Sequence, residues 1–293
     1  GLEIEKYFGL NYNANKMWDA VSFVAHQYEI SPPRQYLKNI NWKGDKNAIR
    51  KLLPTYLGAE DTELNAWIME HMILGLVKRV FEPGSKFDEM MVLVGGQGIG
   101  KSTFARYLAI KDDWFCTIEN IQGKDAVMNL MGKTVVEIEE FVALRNAKSA
   151  NEAKSFLSKL SDRIRIPYEK FSTDVPRTCI LIGTLNERTF LNDHTGERRY
   201  LPVECHKENR KKAIYIDKDF QGDESEKEYL DLIREDFNQA LAYGYKLYKE
   251  NKHSWTIPKD LLEDLYQEQE KFKYLNPDVE DIRYFLEEYK PKT

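Results

Sequence analysis

The sequence predicts an α/β protein: a P-loop parallel-sheet core flanked by N-terminal and C-terminal helical regions. Within residues 86–204, short apolar runs alternate with helical patterns, which is typical of a parallel sheet with crossover helices. Residues 1–85 are expected to be mostly helical, because apolar side chains between Leu64 and Leu76 recur at helical spacing. Residues 205–293 are charged and helical, which gives three regions with these bounds.

The C-terminal region is expected to begin with one long helix and to continue with shorter ones. Apolar residues from Tyr229 to Leu241 recur at the spacing of a single helix face. Two further helices are predicted near Leu261–Phe272 and Val279–Glu288. In the N-terminal region, Pro83 and Gly84 are expected to end the helical segment that precedes the core.

The charge, the apolar runs and the cysteines limit the partners and the cellular compartment that the chain is expected to have. The net charge of −5 does not indicate a broad basic surface for nucleic acid, so any DNA contact is expected to be confined to a small part of the chain, such as a loop. No apolar run approaches the roughly 20 residues of a membrane span, and no membrane partner is expected. The three cysteines lack C-x-x-C spacing, so neither zinc nor a disulfide framework is indicated and a reducing cytoplasm fits. The chain begins with Gly1, which we expect to mark a fragment boundary.

The strongest motif matches G-x-x-x-x-G-K-[ST], the phosphate-binding P-loop. An apolar run, Met90–Val94, precedes it and a helical pattern follows it, which is the strand–loop–helix context that the motif requires. Lys101 is expected to reach the β- and γ-phosphates of ATP, and the Ser102 hydroxyl to bind Mg²⁺. The predicted nucleotide-binding residues are Gly95, Gly96, Gln97, Gly98, Ile99, Gly100, Lys101, Ser102 and Thr103.

An acidic strand end follows at Thr134–Glu140, where Glu137, Glu139 and Glu140 compete for two roles. One carboxylate would complete the Mg²⁺ shell and another would polarise the attacking water. The adjacent pair Glu139 and Glu140 fits the usual pattern, with Glu139 as the metal ligand, whereas Glu137 would share the face of Glu139 on a continuous strand. The alternative is a solvated, charged strand end.

Two further polar elements follow the acidic strand. Asn186 ends an apolar strand pattern and would orient water against the γ-phosphate, although an asparagine in a turn is also common there. Arg198 and Arg199 suggest an arginine finger that is supplied to the nucleotide of a neighbouring subunit. The alternative for this pair is a surface salt bridge.

The order of these motifs resembles that of superfamily three helicases, which are viral and plasmid AAA+ ATPases. Of the two, the sequence resembles more closely the virulence-associated protein E family of prophages and pathogenicity islands. Glu139 departs from the family pattern, which keeps acids at the positions of Glu137 and Glu140, so the role of Glu137 gains weight. The resemblance rests on Tyr56–Asp61, Arg79–Asp88, Gly98–Thr103, Gly132–Lys133, Val136–Ile138, Glu140–Phe141, Arg165, Pro167–Tyr168, Pro176–Arg177, Gly183–Asn186 and Thr195–Arg199.

The resemblance implies an AAA+ core and an ATPase of DNA replication that works as a hexameric ring on single-stranded or forked DNA, with primase or origin-binding factors as further partners. It also implies a DNA-binding hairpin in the channel of the ring. Its strands would be 164–168 and 175–184, and Lys170 and Phe171 at its tip would contact phosphate and base. The alternative is a hairpin without a DNA-binding role, whose tip carries an exposed lysine.

Two functions from different classes remain open. The first is a DNA helicase that translocates through a ring, and the second is a regulatory or assembly NTPase that hydrolyses ATP without unwinding DNA. The loop with Lys170 and Phe171 favours the helicase. A small-molecule kinase fits less well, because it leaves Arg198 and Arg199 unexplained.

Overall fold

The computed structural model describes residues 16–17, 20–21, 23–24, 30–140, 147–165, 172–186, 191, 197–215, 225–273 and 285. Residues 37–293 form one compact unit, and residues 1–36 form another. Among the helices in the described ranges, none is both long and apolar enough to cross a membrane.

The centre of the larger unit is a parallel sheet of five strands, as the alternating pattern predicts. Its strand order is β2-β3-β6-β1-β7, and every neighbouring pair runs parallel. A separate two-stranded antiparallel sheet joins β4 and β5. The strands are β1 Met90–Val94, β2 Phe115–Ile118, β3 Val135–Glu139, β4 Ser161–Ile164, β5 Thr173–Pro176, β6 Ile180–Leu185 and β7 Tyr200–Glu204.

Helices precede, interrupt and follow the sheet. The helix expected before Pro83 and Gly84 is confirmed, as are the long helix through Tyr229–Leu241 and the helix near Leu261. The helix predicted at Val279–Glu288 lies outside the described residues apart from Phe285. The described helices are α1 Pro32–Asn39, α2 Leu52–Tyr56, α3 Glu63–Phe81, α4 Lys101–Leu108, α5 Gly123–Asn129, α6 Ala147–Leu157, α7 Glu226–Glu250 and α8 Lys259–Glu270.

The central strands carry the hydrophobic core. Every residue of β1 and of β6 is buried, which explains why both read as continuous apolar runs rather than alternating ones. Cys179, just before β6, is buried in the same cluster of apolar residues, as expected of a small core side chain. Cys116, Cys179 and Cys205 are all free thiols. The rigid sheet therefore fixes the positions of the loops at its strand ends.

Helices α3 and α7 pack closely because of one small residue. A Cβ atom placed on Gly244 of α7 would lie 2.3 Å from Cγ2 of Ile73 on α3, so a larger side chain would push the helices apart. Both helices have capped N-termini: Thr62 accepts a hydrogen bond from the Asn65 amide at 3.1 Å, and Ser225 forms a capping box with Glu228. Helix α7 is thereby packed directly against α3.

The predicted hairpin exists, but its strand bounds were wrong. Its strands are β4 and β5, whereas residues 180–184, predicted as part of its second strand, belong to the central sheet as β6. The sequence of residues 175–184 does not reveal that Arg177–Cys179 separates the hairpin strand from a strand of the central sheet. Lys170 and Phe171 lie outside the described residues. Arg163 pairs in register with Asp174 across the hairpin.

Candidate functional site

The glycine-rich loop connects the central strand β1 to helix α4, as the motif predicts. Gly100 caps the helix in a left-handed conformation, with φ 104° and ψ 22°. A Cβ atom on Gly100 would also lie 2.3 Å from Cγ2 of Ile214. Both backbone conformation and space therefore require glycine here. The first amides of α4 point out of the helix end, which is the geometry for holding an anion.

The Lys101 side chain lies along the inside of the loop. Its Nζ donates hydrogen bonds to the carbonyl oxygens of Gly95 at 2.6 Å and Gly96 at 2.8 Å, and to Oδ1 of Asn186 at 3.1 Å. The residue is only 7% exposed, and burial lowers the pKa of its amine. The Lys101 amine contacts only neutral oxygens here, so an anionic ligand would stabilise its positive charge further.

Glu137 is the carboxylate that faces the loop. It is 1% exposed, and its Oε1 accepts hydrogen bonds from the Ser102 hydroxyl at 2.6 Å and the Thr184 hydroxyl at 2.8 Å. Thr117 donates to its Oε2 at 3.2 Å. The three hydroxyls come from α4, β6 and β2, so the folded sheet is needed to assemble this arrangement. Across the described ranges, no group of three His, Cys, Asp or Glu residues could hold a metal by itself.

Glu139 and Glu140 lie at the end of the same strand, and both are exposed. Glu139 pairs in register with Thr184, two residues beyond Glu137 on β3. Glu140 has φ 45°, in the left-handed region that few non-glycine residues adopt. The turn at Glu140 thus redirects the chain immediately beyond the strand end. The structure places Glu137, rather than Glu139, against Ser102.

A cavity of about 260 Å³ opens beside the first half of the loop. Gly95, Gly96 and Gln97 line one side of it, together with Asn186. Asn186 follows β6, the neighbour of β1 in the sheet, which explains how its side chain meets Lys101. The loop, the lysine and the asparagine predicted from separate motifs are therefore brought together at one edge of the sheet.

Arg198 and Arg199 lie at the other edge. They precede β7, whose first residue pairs in register with Met90 at the start of β1, whereas the glycine-rich loop follows the end of β1. Arg198 is exposed. Arg199 instead forms an ion pair with Asp88 at 3.2 Å. A strand length thus separates both arginines from the loop of their own chain.

Sequence reasoning missed several residues around the loop. Thr117 and Thr184 hold Glu137, but Thr117 pairs in register with Glu137 whereas Thr184 pairs with Glu139, so no local sequence signal indicates both contacts. Tyr215 donates its hydroxyl proton to the Gly98 carbonyl. Arg210 donates to the Ile99 carbonyl at 3.4 Å. Both come from the irregular segment after β7, where no periodic pattern predicts a contact.

A second group of missed residues lines the 260 Å³ cavity opposite the loop. It comprises His206 and Lys207, with Glu204 and Glu208 on either side. His206 lies 3.7 Å from each of these two carboxylates. The cavity therefore carries charges of both signs next to the loop.

Fold and site together define a parallel α/β protein with a glycine-rich loop at its central strand and a buried lysine and glutamate beside it. The virulence-associated protein E-like domain model matches residues 37–274. The chain belongs to this family, as the sequence resemblance indicates. No curated protein sequence shows significant similarity to it.

Solved structures of the NrS-1 C terminal region are similar to this chain. The apo structure of residues 305–718 superposes with a TM-score of 0.50 at 19% identity, covering 78% of this chain and 56% of that one. The A form apo structure gives a TM-score of 0.49 at 20% identity, covering 78% and 55%. At this identity the first likeness supports the fold alone. The present chain spans little more than half of that region.

Proposed function

We propose that this chain binds and hydrolyses ATP with Mg²⁺ and uses the energy to move along DNA during the replication of a phage or mobile element. The observation that carries the proposal is the convergence of Lys101, Ser102, Glu137 and Asn186 at one sheet edge. A P-loop sequence can occur by chance, but the four side chains come from three chain segments.

The residues present fit both ATP and Mg²⁺. Lys101 is a buried cation whose three hydrogen-bond acceptors are neutral oxygens, and phosphate oxygens would replace them with charged partners. Ser102 and Glu137 offer hydroxyl and carboxylate oxygens 2.6 Å apart, and Mg²⁺ prefers such oxygen ligands. We assign the metal site to this pair, with bound Mg²⁺ neutralising charge on the phosphates.

Glu139, Glu140 and Asn186 would activate and orient the water that attacks the γ-phosphate. Glu139 and Glu140 are exposed at the end of β3 and remain the candidates for polarising the attacking water. Asn186 already contacts Lys101 and would orient that water against the γ-phosphate. We favour Glu140 as the base, because its left-handed backbone is a conformation that proteins retain where function requires it.

A ring arrangement explains the position of Arg198. The arginine is exposed and lies at the start of β7, a strand length from its own loop. A strand advances about 3.3 Å per residue, so the length of β7 keeps the Arg198 guanidinium from reaching the phosphates bound by its own chain. In the proposed hexamer of AAA+ subunits, it would contact the nucleotide of the adjacent subunit and stabilise the charge of the transferred phosphoryl group.

The test is strand displacement on a forked DNA substrate, with ATP and with a non-hydrolysable analogue. The proposal predicts unwinding with ATP alone and none with the analogue or with the Lys101→Ala variant. ATP hydrolysis that DNA does not stimulate, without strand displacement, would instead favour the regulatory NTPase. Absence of hydrolysis in all conditions would contradict both functions.

A further inference from the structure

A second cavity, of about 330 Å³, lies beside the first turns of α4. Its lining residues differ from those of the 260 Å³ cavity next to Lys101. Its volume falls within the roughly 300–1,000 Å³ of small-molecule sites. It therefore has the size of a ligand site and adjoins the P-loop, but none of the roles assigned so far uses it.

The walls of the second cavity combine apolar and aromatic surface. One wall is formed by Thr103 and Tyr107, which lie four residues apart on one face of α4, and by Ile110 just beyond the end of the helix. The opposite wall is formed by Tyr215, with Ile214 beside it, and by Leu230 of α7. Such surfaces bind flat, weakly polar groups by contact and stacking.

Thr103 fixes the position of this cavity relative to the phosphates. It is the last residue of the P-loop motif and also lines the cavity. Lys101 reaches the β- and γ-phosphate end of a P-loop ligand, and its amine lies at Gly95 and Gly96. The α-phosphate end must therefore point towards Thr103, where the second cavity begins.

We propose that the cavity between α4, Tyr215 and α7 holds the nucleoside of the bound triphosphate. This assignment rests on the proposed ATP-binding function. Tyr215 is the main stacking surface, because its hydroxyl donates to the Gly98 carbonyl and so orients the ring against the loop. Asp112 stands at the rim, 81% exposed, where its carboxylate can accept hydrogen bonds from ribose hydroxyls.

The wall beneath the nucleoside is held by α7. Arg234 donates to the Ile110 carbonyl at 2.7 Å, and its guanidinium lies 5.7 Å from the centre of the Tyr107 ring. Helix α7 and the end of α4 are thereby joined across the cavity. The nucleoside would thus contact both helices, which ties α7 to the state of the nucleotide.

The experiment fills the cavity from α7 and compares two ligands. Leu230 lines the cavity and is 36% exposed, so Leu230→Trp can fill the space without altering the P-loop. Leu232, 46% exposed on the same helix and outside the lining, provides the matched control Leu232→Trp. Dissociation constants of ATP and of inorganic tripolyphosphate are measured by calorimetry with Mg²⁺.

The proposal predicts that wild type binds ATP more tightly than tripolyphosphate, because only ATP fills the cavity. Leu230→Trp should weaken ATP binding about tenfold or more and leave tripolyphosphate binding unchanged, and Leu232→Trp should match wild type. Unchanged ATP affinity in Leu230→Trp, or equal weakening of both ligands, would overturn the nucleoside assignment alone. Failure of wild type to bind either ligand would overturn the proposed function, and this assignment with it.

A second pair of variants separates the ring of Tyr215 from its hydroxyl and does not depend on the folding of Leu230→Trp. Tyr215→Phe keeps the stacking surface and loses the contact with Gly98, whereas Tyr215→Leu loses both. ATP affinity should fall about tenfold further in Tyr215→Leu than in Tyr215→Phe, with tripolyphosphate affinity equal in the two. Equal ATP affinities would remove the ring from nucleoside binding.

Discussion

The Ser102 hydroxyl donates a hydrogen bond of 2.6 Å to Oε1 of Glu137, across the gap between α4 and the adjacent strand β3. Ser102 directly follows the P-loop lysine, Lys101, and Glu137 lies within the strand β3. Thr117 donates a hydrogen bond to Oε2 of Glu137 and Thr184 donates one to Oε1, which holds the carboxylate in place. This pair, rather than Ser102 with Glu139, is the metal site that the proposed function uses.

Glu137→Gln should raise the Mg²⁺ concentration needed for ATP hydrolysis. The amide keeps the size of the side chain, but it has one acceptor oxygen in place of the two that Glu137 uses, and it loses the charge that would bind the cation. The expected loss of metal affinity is roughly 10–100-fold. It is measured by titrating Mg²⁺ at fixed ATP, with Glu119→Gln, an exposed glutamate beyond the next strand, as the control. A normal Mg²⁺ titration in Glu137→Gln together with a shifted one in Glu139→Gln would restore Glu139 as the ligand.

Glu140→Gln should bind ATP normally and lose turnover. An amide cannot polarise the attacking water as a carboxylate does, and general bases contribute about 10²–10⁴-fold to rate. Single-turnover hydrolysis and equilibrium binding are compared in the Glu140→Gln and Glu139→Gln proteins. If Glu139→Gln alone lost turnover while binding ATP, Glu139 would be the base.

Arg198→Ala should bind ATP and hydrolyse it poorly, because in the proposed ring the exposed guanidinium would contact the nucleotide of the neighbouring subunit. Mixing Arg198→Ala with Lys101→Ala should restore part of the activity, since a mixed ring contains interfaces with an intact loop and an intact arginine. Hydrolysis is measured against the mixing ratio. Proven co-assembly without any restored activity would place the role of Arg198 within one subunit.

The contrast between the two arginines shows what sequence can and cannot predict. The sequence shows two adjacent arginines, Arg198 and Arg199. Only the fold reveals that Arg199 forms an ion pair with Asp88, which lies just before β1. The strand β1 and the start of α4 could be predicted, because an apolar run and a phosphate-loop motif are local signals.

The choice among the three glutamates could not be made from sequence alone. It depends on which residue of β3 stands beside Thr117 of β2 and near Thr184 of β6, and strand register is a tertiary property. Tyr215 escaped prediction for a similar reason, since an irregular segment brings it to Gly98. Local pattern identified the elements, and long-range packing decided which side chains meet.

Stability should fall as the solution is acidified through the pH range near 6, because of His71. Burial lowers the pKa of His71, which stacks on Trp67 at 4.6 Å and contacts His253 at 3.0 Å. Glu89 lies 3.6 Å from His71, and Glu70 lies 3.1 Å from His253. Below the ordinary histidine pKa of about 6.5 the unfolded chain binds a proton that the folded chain does not, which favours unfolding.

The check is urea unfolding between pH 5 and 8 for wild type and His71→Phe. The phenyl ring keeps the stacking and removes the titration, so the slope of unfolding free energy against pH should decrease. The same slope in His71→Phe would show that another group causes the pH dependence.

The central claim, that the P-loop binds and hydrolyses ATP, is tested most directly by Mg²⁺-dependent phosphate release from ATP by wild type and Lys101→Ala. Lys101 is the cation inside the loop, so its loss should slow hydrolysis at least about a hundredfold without altering the circular dichroism spectrum. Lys227→Ala, an exposed lysine on α7, is the matched control and should behave as wild type. The account predicts hydrolysis in wild type and in the control, and its loss in Lys101→Ala; equal hydrolysis by Lys101→Ala, or none by wild type, would contradict it.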